Sequence, residues 1–354
     1  MSRHKTRAVK AALGALYYSG AQNALAPFTR GEGAILTLHQ VAPPTPVAFD
    51  PNRILKVTPQ FLESVVRHVI GAGYEVLRLD ELPERLANPD GRRPFIVFTL
   101  DDGYRDNVEH AYPVFRRYGV PFTVYVPTAY VQGQGELWWL ALQHAIARLD
   151  LFDLDMDGGV RRFGVSNPAA KAQAFDEIYW WLRRMDERRA RGIVNGICAT
   201  AGVDQARLCR ELIMNWDEVR SLAADPLVTI GAHTRRHFAL AKLTEAEARA
   251  EMADGVRELE QQLGRKVTHF SYPYGDAGSA GEREFALAAE LGFMTAVTTR
   301  KGMVRAGGLS RLTALPRLSL NGDYQQLRLV RTLLSGAPFA LDGLARRLGR
   351  RAAV

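Results

Sequence analysis

Cysteines are scarce in this chain, and long apolar runs are missing. Cys198 and Cys209 are the only cysteines among 354 residues, too few for a disulfide framework and at no metal-ligand spacing. We therefore expect two free thiols. No stretch approaches the roughly 20 apolar residues of a transmembrane helix, and no internal repeat or low-complexity tract stands out. These absences exclude a disulfide-stapled domain, a helical membrane span and a repeat architecture.

Recognition motifs for nucleic acids are also absent. The formal net charge is +8 and the pI is near 9.6, a balance that suits an anionic polymer or surface. However, neither an RNA-binding aromatic signature nor a zinc-finger spacing occurs. Much of the positive charge lies in the terminal stretches SRHKTRAVK and RRLGRRAAV. We expect no nucleic-acid partner, and the basic ends leave open a weak association with an anionic membrane surface or simple solvation.

The first 30 residues resemble an export signal only in part. Arg3, Lys5, Arg7 and Lys10 precede a short apolar stretch, and ALA at 24–26 imitates a cleavage site. The sequence YYSGAQN interrupts the apolar stretch, which argues against a signal peptide. A location in the cytoplasm or at the periphery of the membrane is therefore favoured, with export as the alternative.

Short apolar runs alternate with amphipathic segments along most of the chain. The amphipathic segments repeat apolar residues near a 3.6 period and end on glycine, as in PQFLESVVRHVIGAG. This alternation favours an α/β fold with a parallel sheet. Eight candidate strands predict a distorted (β/α) barrel of seven or eight parallel strands, whose site gathers residues from the carboxyl ends of several strands. The runs are 34–41, 74–79, 95–100, 122–127, 227–233, 267–273, 294–299 and 314–320.

The barrel is expected to span 34–325. A basic segment, 1–33, precedes it, and a basic helix or tail, 326–354, follows. The gap from about 137 to 225 is rich in Trp, Arg and Leu and is predicted to be a helical insertion within the barrel. Its aromatic triplets LWW and YWW could stack on sugar rings, but aromatic residues at helical spacing are more often part of a core.

Two adjacent carboxylates end an apolar strand in the stretch FIVFTLDDGYRDN. Burying Asp101 and Asp102 without partners costs several kcal/mol or more, so a cation, a proton or a substrate is expected beside them. Neighbouring side chains in a regular strand point apart, and Gly103 lets the chain turn so that both can serve one site. The alternative is a capping pair for a helix that begins near Asp106.

A pair of histidines follows another apolar strand in GAHTRRH. His233 and His237 lie four residues apart, so that one helical turn would bring both imidazoles to the same side. With a carboxylate from another strand end they form a set that suits zinc with an open position. A zincin has Glu after its first histidine, whereas Thr234 stands here. We therefore expect Asp102 to ligate the metal and Asp101 to act as general base.

At these positions the sequence resembles a known family. TLDDGYRDN and HTRRH resemble the first and second motifs of polysaccharide deacetylases of the NodB-homology type (carbohydrate esterase family 4). The third motif, usually Arg-x-Pro-Tyr, is similar to SYPYGD at 271–276. The resemblance extends from about 34 to 320, and the three motifs agree in order. It implies a distorted (β/α) barrel, a divalent metal that is usually zinc, and hydrolysis of N-acetyl groups on amino-sugar polymers.

The resemblance also implies roles for individual residues. Asp101 would be the general base, while Asp102, His233 and His237 would hold the metal. The backbone N–H of Tyr274 would help to bind the oxyanion. This division of labour agrees with the chemistry of metal-assisted amide hydrolysis, in which tetrahedral charge is shared by the metal and a backbone donor.

The sequence departs from the family pattern at two points. Ser271 replaces the motif arginine that normally holds the base aspartate, and no histidine follows His269 to serve as the late general acid. His39, at the end of the first strand, is predicted to be the acid, with a hydrogen-bonded structural histidine as the alternative. Arg317 is predicted to steady Asp101, with an exposed or phosphate-binding arginine as the alternative.

Three functions are compatible with these residues. The first is a metal-dependent deacetylase of an amino-sugar-containing poly- or oligosaccharide. The second keeps the metal site but acts as a deacylase or deformylase on a lipid-linked sugar or a small amide. The third is a non-catalytic carbohydrate-binding homologue, against which the intact set of Asp101, Asp102, His233 and His237 argues.

Overall fold

A parallel sheet forms the centre of the molecule, and helices surround it. The computed structural model describes residues 3–89, 92–306 and 311–351. The strands are β1 Gly33–Leu38, β2 Gln40–Val41, β3 Lys56–Val57, β4 Glu75–Val76, β5 Phe95–Leu100, β6 Phe122–Val126, β7 Leu151–Met156, β8 Gly159–Gly164, β9 Val228–Ala232, β10 His269–Ser271, β11 Thr295–Val297 and β12 Leu318–Ser319. The eight-stranded sheet has the order β11-β10-β9-β6-β5-β1-β12, and β4 pairs with the start of β5.

Helices follow most of the strands, as the alternating pattern predicted. A 3-10 turn, Pro51–Leu55, and a π-helical turn, Asn107–Ala111, lie near the carboxyl ends of β1 and β5. The helices are α1 Arg3–Tyr18, α2 Ala21–Thr29, α3 Pro59–Gly71, α4 Leu82–Ala87, α5 Tyr112–Arg117, α6 Thr128–Val131, α7 Trp138–Arg148, α8 Pro168–Leu182, α9 Glu187–Ala201, α10 Gln205–Leu212, α11 Trp216–Ala223, α12 Glu245–Leu263, α13 Glu282–Glu290, α14 Leu327–Leu334 and α15 Ala337–Arg351.

Each predicted apolar run contains one strand of this sheet. The central strands β1 and β5 are buried along their whole length, because helices or barrel interior cover both faces of a parallel strand. The two edges of the sheet approach each other at Leu315, which pairs with Val297 of β11 just before β12 begins. The sheet therefore curls into the distorted (β/α) barrel that the sequence predicted.

The insertion between β6 and β9 contains more than helices. Besides α7 to α11 it includes an antiparallel hairpin, in which β7 and β8 pair from Leu151↔Gly164 to Met156↔Gly159. Residues of β7 alternate between exposed and buried, and Asp157-Gly158 supplies a hairpin turn signal. Phe152 and Phe163 stack across the hairpin at 5.3 Å. The hairpin was not predicted from the sequence, because its two six-residue strands stand within a much longer stretch of helical pattern.

Helices from the two ends of the chain pack together. α1 lies against α14, and α2 lies against α15. Leu13 is buried in this packing, and Thr332 donates a hydrogen bond to its carbonyl. Both cysteines are free and buried, as expected. No helix in the described part of the chain is long and apolar enough to cross a membrane, and weak membrane association through the basic ends stays a prediction.

Helix α12 packs closely against the loop that carries the two histidines. A Cβ at Gly255 would lie 2.7 Å from the carbonyl carbon of Thr234. Glycine in a helix normally costs about 1 kcal/mol relative to alanine, so its presence inside α12 has a packing reason. It allows backbone to approach backbone directly behind the histidine loop.

We predict that Gly255→Ala destabilises the protein. The overpacked Cβ is expected to cost about 1–3 kcal/mol, which outweighs the gain in helix propensity. The control is Gly196→Ala in α9, where a Cβ meets no atom within 4 Å and the change should be neutral or stabilising. The free energy of unfolding of each variant is measured in urea. Equal stability of both variants would contradict the close contact between Gly255 and the Thr234 backbone.

Candidate active site

The two carboxylates lie at the point where β5 ends. Asp101 continues the strand pairing, since its N–H donates to the Leu38 carbonyl at 3.0 Å. Asp102 then adopts a left-handed backbone with φ 74°, and Gly103 follows with φ 67°. Both aspartates are only 2% exposed. The turn therefore begins at Asp102, one residue before the predicted glycine, and it lets successive side chains reach the same cavity.

Asp102 meets both predicted histidines. Its Oδ1 lies 3.2 Å from Nε2 of His237 and 3.4 Å from Nε2 of His233. The three buried residues offer ligand atoms that all lie within 4.8 Å of one another. The predicted convergence is thus present, although the role of these residues as ligands stays a prediction.

The histidine segment is a loop and not the predicted helical turn. Residues 233–239 have no helical structure, and Thr234 and His237 have φ values of 62° and 59°. The N–H of His237 donates to Oγ1 of Thr234 at 2.9 Å. This local turn, closed from behind by Gly255, brings the imidazoles to within 4.7 Å of each other. The expectation of a helix was wrong, because spacing of four residues does not by itself specify the backbone.

The three groups fit a divalent cation. Nδ1 of His233 donates to the Ser271 carbonyl at 2.7 Å, which directs its Nε2 toward Asp102. Among the described residues, Oδ1 of Asp102 and Nδ1 of His237 have no hydrogen-bond partner. Burial lowers the pKa of His237 despite the neighbouring carboxylate, which disfavours the imidazolium form. Two imidazole nitrogens and one carboxylate oxygen form a donor set that suits zinc.

Asp101 has a different partner. Nη1 of Arg317 donates to Oδ1 at 2.8 Å and Nη2 donates to Oδ2 at 2.6 Å, a bidentate pair in which Arg317 is 1% exposed. Burial alone would raise the pKa of Asp101, but the Arg317 guanidinium outweighs it and holds the pKa below its usual value. Ser271 Oγ accepts a further hydrogen bond from Arg317 at 3.1 Å. Arg317 is therefore neither exposed nor free for a phosphate.

The third motif is held in an uncommon conformation. Tyr274 follows β10 with φ 60°, and its backbone N–H donates to no acceptor in the described chain. Its carbonyl accepts from Thr299 Oγ1 at 2.6 Å, and its hydroxyl accepts from Trp138 Nε1 at 2.7 Å. A Cβ at Gly275 would lie 2.6 Å from the Thr299 nitrogen. These contacts hold the Tyr274 backbone in place and leave its N–H without an acceptor.

Backbone strain is concentrated at this site. Among the residues that the structure describes, four non-glycine residues have positive φ, and all four belong to the three motifs. Such conformations are costly and persist where the surrounding structure enforces them, often at functional sites. The four are Asp102, Thr234, His237 and Tyr274.

His39 lies in the same cavity, directly after β1. Its carbonyl accepts from Asn107 Nδ2 at 2.8 Å, and Asp106 Oδ1 accepts from the Val41 N–H at 3.2 Å. The end of the first motif therefore holds the His39 segment in place. The His39 imidazole makes no hydrogen bond to the described residues, so the alternative of a hydrogen-bonded structural histidine is not supported, and its role as acid stays a prediction.

One buried residue at the site was not predicted. Arg191 of α9 donates to the His237 carbonyl at 3.2 Å and pairs with Glu187, which also contacts Lys242 at 3.2 Å. Arg191 is 3% exposed. Its stretch ERRARG contains several arginines with the same local pattern, so the sequence carried no signal for the one that reaches the histidine loop.

A cavity of about 350 Å³ is lined by His39, both aspartates, both histidines and Tyr274. Residues of the Pro51–Leu55 turn and of α8, most of them apolar or aromatic, complete its lining. Three of the four tryptophans in LWW and YWW are buried, as the core alternative predicted, whereas Trp180 is 49% exposed and lines the cavity. The sequence could not predict which tryptophan would face the site, because the tryptophans in each triplet are adjacent and chemically identical.

Comparison with known proteins agrees with this arrangement. The family model described as polysaccharide deacetylase matches residues 88–151 and 183–296, together half of the chain. The chain belongs to the polysaccharide deacetylase family. No curated protein sequence matches it.

Solved structures of the family share the fold at low sequence identity. The Streptococcus pyogenes deacetylase PplD, in complex with acetate, has a TM-score of 0.56 and 17% identity over 85% of this chain and 97% of that chain. IcaB from Ammonifex degensii has a TM-score of 0.53 and 17% identity over 86% of this chain and 98% of that chain. A polysaccharide deacetylase from Bacillus cereus, BC0361, has a TM-score of 0.51 and 15% identity over 85% and 68% of the two chains.

We predict that Arg317→Met strongly destabilises this family member. Removing one partner of a buried ion pair leaves an uncompensated charge, at a cost of about 3–5 kcal/mol. Adding Asp101→Asn should restore part of the free energy of unfolding measured in urea. The exposed pair of Arg162 with Asp153 provides the control, because solvent screens this pair and Arg162→Met should leave the free energy of unfolding almost unchanged. Equal losses for the two arginine variants would contradict the assignment of Arg317 to a buried ion pair.

Proposed function

We propose that the protein is a metal-dependent hydrolase that removes N-acetyl groups from an amino-sugar-containing poly- or oligosaccharide. The observation that carries this proposal is the buried cluster of Asp102, His233 and His237 beside the separately paired Asp101. Membership of the polysaccharide deacetylase family supports the reaction type. A divalent ion such as zinc, held by the three ligand residues, would polarise the amide carbonyl and lower the pKa of water.

Asp101 serves as the general base in this proposal. Its carboxylate lies next to Asp102 in the chain and lines the same cavity, and Arg317 holds both of its oxygens. The low pKa keeps it in the basic form over the neutral range. Arg317 thereby takes the place of the motif arginine that Ser271 replaces. Asp101 accepts a proton from the attacking water, and the ion pair keeps its orientation constant.

Tyr274 and His39 complete the proton and charge transfers. The unpaired N–H of Tyr274 is available to stabilise the negative charge that develops on the carbonyl oxygen. His39 donates a proton to the departing amine, because an amine is a poor leaving group until it is protonated. The absence of other hydrogen bonds to the His39 imidazole within the described chain leaves this group free for that transfer.

Apolar residues in the cavity lining favour a second candidate for the substrate. Pro51, Ile54 and Leu55 line the cavity, and their apolar surface also suits a lipid-linked sugar or a small acyl amide. The catalytic groups would act in the same way on such a substrate. Comparing a lipid-linked N-acetylated sugar with N-acetylglucosamine oligomers distinguishes the two candidates.

The proposed reaction predicts metal-dependent acetate release from N-acetylglucosamine oligomers. Chelation should abolish release and zinc should restore it. Asp101→Asn should lower kcat by about 10²–10⁴-fold, the usual contribution of a general base, while metal content stays unchanged. Asp155→Asn on β7 is the matched control, since Asp155 lies outside this cavity and is exposed. A zinc-loaded protein that releases no acyl group from any of these substrates would support the non-catalytic alternative.

The proposed acid makes a separate prediction about leaving groups. His39→Gln should lower the rate of amide hydrolysis by about 10²-fold and affect an aryl acetate much less, because a phenolate departs without protonation. Acetate release from the two substrates measures this difference. The control is His110→Gln on the π-helical turn. Equal losses on amide and ester would contradict the role of His39 as acid.

A further inference from the structure

Helix α8 reaches the cavity although it lies outside the family match. Residues 152–182 lie between the two matched stretches and form most of the β7–β8 hairpin and helix α8. Helix α8 presents Phe175, Asp176, Tyr179 and Trp180 to the cavity. Their spacing places them on one face of the helix. One wall of the cavity is thus supplied by a part of the chain that the family model does not describe.

Trp180 lines the cavity and lies at the end of a cluster of aromatic rings. Its ring meets Tyr179 edge-on at 5.2 Å, and Tyr179 stacks on Trp138 at 5.0 Å and on Phe175 at 5.7 Å. Trp138 in turn donates to the Tyr274 hydroxyl at the site. A row of aromatic rings therefore extends from the reacting centre to the rim. Half of the Trp180 surface remains exposed at the end of this row, where a ligand can cover it.

Asp176 stands one helical turn before Trp180. It is exposed and has no hydrogen bond or ion pair with the described residues, whereas the adjacent Glu177 pairs with Arg161. An unpaired carboxylate beside an aromatic ring can accept hydrogen bonds from hydroxyl or ammonium groups of a ring that stacks on the tryptophan. A hydrocarbon chain at this position would desolvate the carboxylate without a partner. Trp180 and Asp176 together therefore favour a sugar over a lipid as the ligand.

We propose that Trp180 and Asp176 form a subsite for the sugar ring next to the one that reacts. The indole binds the C–H face of that ring, and the Asp176 carboxylate binds its hydroxyl groups or the ammonium of a unit already deacetylated. A cavity of about 350 Å³ accommodates a small ligand, so further units of a polymer lie at its mouth. The subsite rests on the proposed function and gives preference to oligomers over monosaccharides.

Kinetics of the metal-loaded enzyme test the subsite. Trp180→Ala should raise KM for an N-acetylglucosamine tetramer about tenfold, leave kcat nearly unchanged, and leave hydrolysis of an aryl acetate unchanged. Trp180→Tyr should recover most of the loss. Phe28→Ala removes an aromatic ring that is 80% exposed on α2 and should have no effect. An unchanged KM for the tetramer in Trp180→Ala would overturn the proposal.

The charged half of the subsite has its own test. Asp176→Asn should weaken binding of partly deacetylated tetramers more than that of fully acetylated tetramers, whereas Asp155→Asn should affect neither. Equal weakening would overturn the role of Asp176 in binding an ammonium group. Binding is measured by titration calorimetry with zinc-loaded protein.

Calorimetry also separates failure of the subsite from failure of the proposed function. If the wild-type protein releases no acetate, tetramer affinity that falls in Trp180→Ala still supports the subsite. Equal tetramer affinity in wild type and Trp180→Ala overturns it. The subsite is also overturned if Trp180→Ala weakens binding only of a prenyl-linked N-acetylglucosamine, because Trp180 would then bind the lipid.

Discussion

The burial of two adjacent carboxylates is the constraint on which the site depends. Asp101 and Asp102 end a strand whose every residue is buried, and each negative charge requires its own compensation. Arg317 pairs with Asp101, while the imidazoles of His233 and His237 converge on Asp102. Because the partners differ, neighbouring residues of the same type acquire different chemistry. One carboxylate keeps its charge through an ion pair, and the other is poised to share its charge with a cation.

The same constraint accounts for the strained backbone. Successive side chains in a regular strand point to opposite faces, so Asp102 must leave strand geometry to reach the cavity beside Asp101. The histidine loop and Tyr274 adopt left-handed conformations for a similar reason. Packing from outside the motifs maintains them, since Gly255 lies behind Thr234 and Arg191 binds the carbonyl of His237. The site is therefore as much a product of α9 and α12 as of its motifs.

The role of a residue at this site depends on where its side chain lies in space more than on its position in a sequence motif. Ser271 stands where the family motif usually has arginine, yet a guanidinium reaches Asp101 from Arg317, just before the last strand. Such an exchange is feasible because residues from several strands of a barrel converge on one cavity. Helix α8 differs from the motif residues in its relation to the family. Asp101, Asp102, His233 and His237 lie within the family match, whereas Trp180 and Asp176 lie outside it.

Local sequence determined the strands of the parallel sheet, because burial on both faces of such a strand produces an unbroken apolar run. It also determined the Asp pair and the spacing of the histidines, which follow two of these runs. Three motifs in order were enough for the family and the barrel. The tertiary structure decided between the alternatives for Arg317 by placing it against Asp101, 216 residues away. It alone showed that Arg191 binds the His237 carbonyl and that Trp180 rather than Trp181 lines the cavity. These choices depend on the rotation and packing of whole helices and strands, which no short sequence pattern encodes.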